Sequence, residues 1–176
     1  KNLYWLFRKQ YFECNEPEKK IGAEWIAANQ DILQLISTGT TKPYCRASYK
    51  SDGNDMLSVQ IPNSGEYWAF VCILRWDACI LAEQGKYSQA FTNILTTYKF
   101  GKHIKTLPTT IEQIIGMVMK SVAAQNLRLI TSRYDVGKEQ LVKFQNDFRS
   151  VIQNDDFSIN FETEKLSVFL KNSLIK

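Results

Sequence analysis

Histidine is scarce in this chain: His103 is the only one, and the four cysteines form neither a C-x-x-C pair nor a Cys/His spacing suited to zinc. A multi-histidine metal site is therefore excluded, and we expect no structural metal and no cofactor. Glycine and proline number only 8 and 4 among 176 residues, which excludes a collagen-like chain and argues against disorder. With 44% hydrophobic residues, the chain is predicted to bury a core without a metal or a disulfide.

Long hydrophobic runs are also missing. The longest stretch without a charged residue, 87–98, has 12 residues and is too short and too polar to cross a bilayer. No signal peptide or targeting motif is visible. From its length we expect residues 1–176 to be one helical domain. The start on Lys1 rather than Met and the amphipathic last segment are compatible with a fragment of a longer chain.

Acidic residues are absent between Glu83 and Glu112, although the whole chain has 18 of them against 22 Lys and Arg. The basic residues of this interval are Lys86, Lys99, Lys102, His103 and Lys105. The net charge of +4 is too small to argue for nucleic acid by itself. A solvated basic face is the default interpretation of segment 86–105, and contacts to phosphate groups are the alternative.

Apolar residues recur at helical spacing along most of the chain, and strand-like alternation is nowhere sustained. The pattern predicts an all-α fold of about seven helices, paired antiparallel because most joins are short. The predicted helices cover about 3–12, 23–37, 66–83, 87–103, 109–134, 141–152 and 166–174, with breaks at 15–18, 38–40, 85 and 135–137. The spacing of Thr109 and Glu112 predicts a capping box at the start of the fifth helix.

Two apolar stripes are predicted to bury this fifth helix on two sides. The first stripe contains Ile111, Ile115, Val118, Val122 and Leu129, and the second contains Ile114, Met117 and Ala124. By contrast, residues 38–65 show no lasting period and are rich in turn formers, so they form one long irregular connection. Because this connection also carries many apolar side chains, we expect it to lie ordered across the helices.

One stretch places small and aromatic residues at the offsets of a tetratricopeptide repeat unit, namely Ala78, Leu81, Gly85, Tyr87, Ala90 and Ile94. Further elements are Asn29, Cys45-Arg46-x-x-Tyr49, Ala82-Glu83-x-Gly85, Lys102-His103 and Pro108-Thr109-x-Ile111-x-Gln113-x-x-Gly116. Together, over about residues 25–150, they resemble an uncharacterised family of all-helical proteins of planctomycetes and related bacteria. The resemblance implies helix pairs stacked as a short TPR-like superhelix, no assigned enzymatic activity, and a location on the envelope side of a bacterial cell.

His103 lies with Lys99 and Lys102 in the last turns of the fourth predicted helix. Positive charge at that end complements the helix dipole and satisfies free carbonyls. We favour this capping role for His103 over a catalytic one.

Cys45 and Arg46 lie in the long connection and allow two interpretations. Arg46 could lower the pKa of the Cys45 thiol and make it reactive. We favour the other interpretation, in which Arg46 anchors the connection on helix-end carbonyls and Cys45 packs beneath it. Cys45, Arg46 and Tyr49 would then form a local anchor at the mouth of a groove.

Arg75 and Asp77 are the only central charges of the most apolar predicted helix, 66–83. Burying either of them unpaired is costly, so we expect an ion pair with another helix rather than a ligand clamp. Aromatic residues flank the long connection, Tyr49 and Trp68 among them, and they are candidate anchors for a bound peptide.

No catalytic constellation is visible, and paired helices create grooves. We therefore predict a non-enzymatic helical-repeat protein with an interaction or scaffolding role and a protein or peptide partner. The alternative is a module that binds nucleic acid or an anionic surface through segment 86–105. The candidate contacts are Cys45, Arg46, Tyr49, Trp68, Arg75, Lys99, Lys102 and His103.

Overall fold

The structure, a computed structural model, describes residues 3–46, 48–51, 59–60, 64–153, 155 and 158–161. Within these residues the chain is all-α, as predicted, apart from one 3-10 turn and a ladder of two strands with two residues each. The elements are α1 (Tyr4–Phe7), a 3-10 turn (Tyr11–Glu13), α2 (Glu16–Ala28), α3 (Gln30–Gly39), β1 (Lys50–Ser51), β2 (Val59–Gln60), α4 (Ser64–Glu83), α5 (Tyr87–Lys105), α6 (Thr110–Arg133) and α7 (Lys138–Ile152).

The N-terminal third departs from the prediction. Residues 15–18, expected to be a break, instead begin α2: the Asn15 side chain accepts from the Glu18 amide at 2.9 Å, and the Glu18 carboxylate accepts from the Asn15 amide at 3.2 Å. This is a capping box, and Pro17 is tolerated because the first turn needs no backbone donor. The helix predicted over 23–37 is two helices, α2 and α3, separated at Asn29.

The predicted first helix is also shorter than expected, since only α1 and the 3-10 turn form in that region. The predicted last helix, 166–174, lies outside the described residues. The described residues nevertheless form seven α-helices, the number predicted. The second predicted helix is two helices in the structure, and this makes up for the last predicted helix, which is not described.

α4 and α5 form an antiparallel pair joined at Gly85, where the turn was predicted. Gly85 has φ of +72°, a left-handed conformation in which a side chain would be strained. The Gly85 amide donates to Ala82 O at 3.0 Å and the Lys86 amide donates to Leu81 O at 2.8 Å. These two bonds are those of a Schellman motif, and they satisfy carbonyls at the end of α4.

α5 and α6 approach each other closely at Gly101 and Gly116. A Cβ added to Gly116 would lie 2.5 Å from both the Gly101 carbonyl oxygen and the Lys105 amide nitrogen. A Cβ on Gly101 would in turn lie 2.7 Å from the Gly116 carbonyl oxygen. The two backbones are therefore in contact, and glycine is required on both sides of the crossing.

The core lies around α4. Trp76 is fully buried, and the rings of Phe7 and Tyr11 meet its ring edge-on with centroids at 5.2 Å. Gly22 of α2 rests directly on the same indole, since a Cβ there would lie 2.4 Å from a ring carbon. One aromatic side chain thus holds α1, α2 and α4 together.

The predicted stripes on α6 are largely wrong. Ile111, Ile114 and Val118 are 58%, 46% and 44% exposed. The buried residues of this helix are Glu112, Gln113, Gly116, Met119, Lys120, Ala123, Asn126 and Ile130. The inward face is partly polar because its polar groups find partners from other elements, which a pattern of apolar residues cannot indicate.

Candidate functional site

Arg75 joins α4 to the end of α1, and among the described residues it forms no ion pair of the predicted kind. Its guanidinium donates to Phe7 O at 3.1 Å and to Lys9 O at 3.0 Å, and the Trp76 indole N–H also donates to Lys9 O at 3.0 Å. Carbonyls after a helix lack partners within that helix, so a planar guanidinium suits them. Arg75 is therefore a structural clamp on the N-terminal segment.

Asp77, on the same helix, has a separate partner. Its carboxylate is buried and accepts from the Asn93 amide at 2.6 Å, and burial raises the pKa of this carboxyl group. This pair connects α4 to α5 and lies at the edge of an open groove described below.

His103 lies beside the end of α3, with Nε2 3.2 Å from the carbonyl oxygen of Thr40. His103 therefore contacts a carbonyl at the end of α3, whereas the sequence predicted that it would cap the carbonyls at the end of its own helix. Lys102 behaves in the same way, since its ammonium donates to Val151 O at 3.0 Å near the end of α7. α5 thus supplies polar side chains to the ends of two other helices.

These residues line a cleft of about 430 Å³ that we call the basic cleft. It is formed by the end of α3, the last turns of α5 and the end of α7, and none of its lining residues is acidic. Its lining residues are Thr40, Lys42, Pro43, Tyr44, Lys99, Lys102, His103, Thr106, Ser150 and Val151. The structure therefore brings three predicted site residues together and adds Lys42 and Tyr44, which lie far from them in sequence.

Tyr49 reaches a fully buried carboxylate, that of Glu112 at the start of α6. The Tyr49 hydroxyl donates to Glu112 Oε2 at 2.8 Å, and the Thr109 hydroxyl donates to the same oxygen at 2.7 Å. Thr109 accepts from the Glu112 amide, as the capping box predicts, but the Glu112 side chain binds these hydroxyls instead of the backbone. Burial and the neighbouring Glu112 raise the pKa of Tyr49 well above its usual value.

Cys45 and Arg46 do not act as a pair. Burial and the charge of Glu112 raise the pKa of the Cys45 thiol, the opposite of activation. The Arg46 guanidinium lies 5.1 Å from the centroid of the Tyr44 ring, and among the described residues it has no hydrogen bond to a carbonyl. The contact found for Arg46 in the described part of the chain is thus a cation–π contact with Tyr44, and its role as an anchor of the connection stays a prediction. Whether the whole stretch 38–65 is ordered stays a prediction, because much of it lies outside the described residues.

The thiol of Cys45 should react slowly. Its raised pKa leaves less thiolate than a free cysteine has, and the thiolate is the reactive form. Cys14, Cys72 and Cys79 are buried, so thiol labelling of the native protein reports mainly on Cys45. We expect native protein to react with a chromogenic disulfide at pH 7 more slowly than free cysteine, and Cys45→Ser to remove the fastest phase. Reaction faster than free cysteine would restore the activated-thiol hypothesis.

A second concave region, which we call the amide groove, lies between α2 and the α4–α5 pair and has a volume of about 800 Å³. Its floor is apolar, and its walls carry four primary amides together with hydroxyl and charged groups. The lining residues are Ala23, Glu24, Ile26, Ala27, Gln30, Asp77, Ile80, Leu81, Gln84, Lys86, Gln89, Thr92 and Asn93.

This groove was not predicted from the sequence. The available signal was the pair Ala23 and Ala27, because two small residues one turn apart leave room beside a helix. Trp68, a predicted peptide anchor, is partly buried against two core clusters and lines none of the concave regions described above.

The described part of the chain contains neither a cluster of metal ligands nor a helix that could cross a membrane. Cys, His, Asp and Glu form no group of three or more there that could hold a metal ion. None of its helices has the length and apolar character that crossing a bilayer requires. Comparison with family models, curated proteins and solved structures gives no significant match.

Proposed function

We propose that this chain is a non-enzymatic helical interaction protein that binds an extended segment of a partner protein in the amide groove. The observation that supports this most is the groove's composition. A primary amide has both donors and acceptors, so Gln84 and Gln89 can pair with the backbone of a peptide of any sequence. The apolar floor, with Ile80 and Leu81, gives apolar side chains of the peptide a surface to bury.

The charges around the groove favour a partner of mixed character. The charged lining residues are Glu24, Asp77 and Lys86, whose formal charges add up to only −1, so no strong field of one sign fills the groove. Binding there should therefore depend little on salt. The alternative function, binding nucleic acid through segment 86–105, needs one continuous basic surface. Lys86 and Lys102 are about 24 Å apart along α5, which divides the segment between two regions.

A TPR-like superhelix remains part of this proposal. It is supported by the antiparallel pair α4–α5, by the glycine turn between them, and by α6 packing closely against α5. The resemblance to the planctomycete family, and the envelope location it implies, stay predictions.

If the proposal is right, peptides that bind the chain can be found, and a substitution that fills the amide groove weakens their binding. We would select binders to the whole chain from a random peptide library and measure their affinity by fluorescence anisotropy. Ala27→Trp places an indole in the groove and should weaken the selected peptides by at least about tenfold. Ala124→Trp is the matched control, since Ala124 is exposed on α6 away from the groove, and it should leave affinity unchanged.

The second measurement is the dependence of peptide affinity on salt concentration. Affinity should change by less than about threefold between low and high ionic strength, because the contacts are mainly apolar and amide. Failure to select any peptide, or equal effects of the two tryptophans, would contradict the proposal. Selection of acidic peptides that are lost at high salt would instead favour an electrostatic surface.

A further inference from the structure

We infer that the basic cleft is a binding site for a soluble phosphate ester. The cleft lies where three helices end, α3 at Gly39, α5 at Lys105 and α7 at Ile152. Each helix end carries about −0.5 of a charge, which gives about −1.5 in total. Lys42, Lys99 and Lys102 supply three full positive charges, so about +1.5 remains after the helix ends are compensated.

One carbonyl at each of these helix ends already has a side-chain donor. His103 meets Thr40 O, Lys102 donates to Val151 O, and the Thr106 hydroxyl donates to His103 O at 2.7 Å. The ammonium groups of Lys42 and Lys99 have no hydrogen-bond partner among the described residues. They are therefore not needed as helix caps and are available to a ligand that enters the cleft.

The remaining charge matches a phosphate monoester. Such a group carries about −1.5 to −2 at neutral pH, whereas a carboxylate carries only −1. Lysine ammonium groups bind phosphate as point charges from several directions, which suits Lys42 after α3 together with Lys99 and Lys102 on α5. The cleft thus has both the sign and the amount of charge that this ligand class requires.

The size of the cleft indicates that the phosphate belongs to a larger molecule. A volume of about 430 Å³ falls in the range of small-molecule sites and exceeds the needs of a single phosphate. The Tyr44 ring, 66% exposed, offers a flat apolar wall for the organic part, and Arg46 lies against this ring. A molecule of the size of a sugar phosphate or a mononucleotide fits these dimensions.

The test is calorimetric titration of the whole chain with three phosphate monoesters: glucose 6-phosphate, adenosine monophosphate and phosphoserine. Each is compared with its dephosphorylated counterpart. We expect at least one monoester to bind with Kd below about 1 mM and its counterpart not to bind. Higher salt should weaken the binding.

Two double variants with the same loss of charge locate the site. Lys42→Gln with Lys99→Gln should lower affinity by at least about tenfold, while Lys20→Gln with Lys138→Gln, both exposed and outside the cleft, should change it by less than about twofold. Equal thermal midpoints would show that both variants are folded.

Three results would overturn the inference. They are absence of binding by all three monoesters, equal weakening in the two double variants, and, in a parallel titration with vesicles that contain phosphatidic acid, binding to those vesicles alone. The last result would assign the cleft to a membrane surface. None of these results bears on the amide groove, whose test uses different variants.

Discussion

Gly116→Ala is expected to destabilise the protein by about 3 kcal/mol or more. The new methyl group would lie 2.5 Å from the Lys105 amide nitrogen and 2.8 Å from its Cα. Both are backbone atoms, so no side chain can rotate away and the two helices have to separate. For a chain of this size, 3 kcal/mol corresponds to a loss of about 6–12 °C in the thermal midpoint, measurable by circular dichroism.

Gly39→Ala is the matched control for this substitution. Gly39 is also helical, at the end of α3, but a Cβ there meets nothing within 4 Å. It should leave stability unchanged or raise it by about 0.4–1 kcal/mol through reduced freedom of the unfolded chain. Equal midpoints for the two variants would mean that α5 and α6 do not cross at Gly116.

Replacing Lys120 is also expected to lower stability strongly, because Lys120 forms a buried ion pair with Asp155. The ammonium lies 3.0 Å from both carboxylate oxygens, each side chain is only 3% exposed, and the Tyr98 hydroxyl donates to the same carboxylate at 2.7 Å. This cluster connects α5 and α6 to the chain that follows α7. Lys120→Met leaves the carboxylate buried without a cation, which should cost about 3–5 kcal/mol in chemical denaturation.

A double variant tests whether the missing charge is the cause. Lys120→Met with Asp155→Leu removes both charges and should recover most of the lost stability, because no unpaired ion remains buried. Glu16→Gln serves as the surface control, since Glu16 is 87% exposed in its pair with Lys19 and its replacement should cost less than about 1 kcal/mol. A mild effect of Lys120→Met alone would show that Asp155 is not held in the interior.

The N-terminal region and α6 show where sequence patterns were insufficient. A run of charged residues around Pro17 resembles a loop, and only the reciprocal bonds of Asn15 and Glu18 show that it begins a helix. On α6, Lys120 was not predicted to be buried, because its partner Asp155 lies 35 residues further along the chain. A buried polar group is stable only with its partner, and the partner's position is a property of the fold.

The candidate sites depend even more on packing. The chemistry of Lys99, Lys102 and His103 was visible in the sequence as a basic segment, but Lys42 and Tyr44 join them only because α3 ends beside α5. The amide groove has only the small-residue pair Ala23 and Ala27 as a signal in the sequence. Its shape follows from the distance between α2 and the α4–α5 pair, which is fixed by Gly22 resting on Trp76.

The sequence by itself determined the all-α class, the turn at Gly85, the start of α6 at Thr109 and the interruption near Gly137. Each of these depends on backbone bonds and side chains within one or two turns, so the information is local. Only the tertiary structure decided that Arg75 clamps carbonyls, that Glu112 and Lys120 are buried, and which basic residues share a cleft. Those outcomes require residues distant in sequence to meet, and their energies depend on burial and partners that arise only when the helices pack.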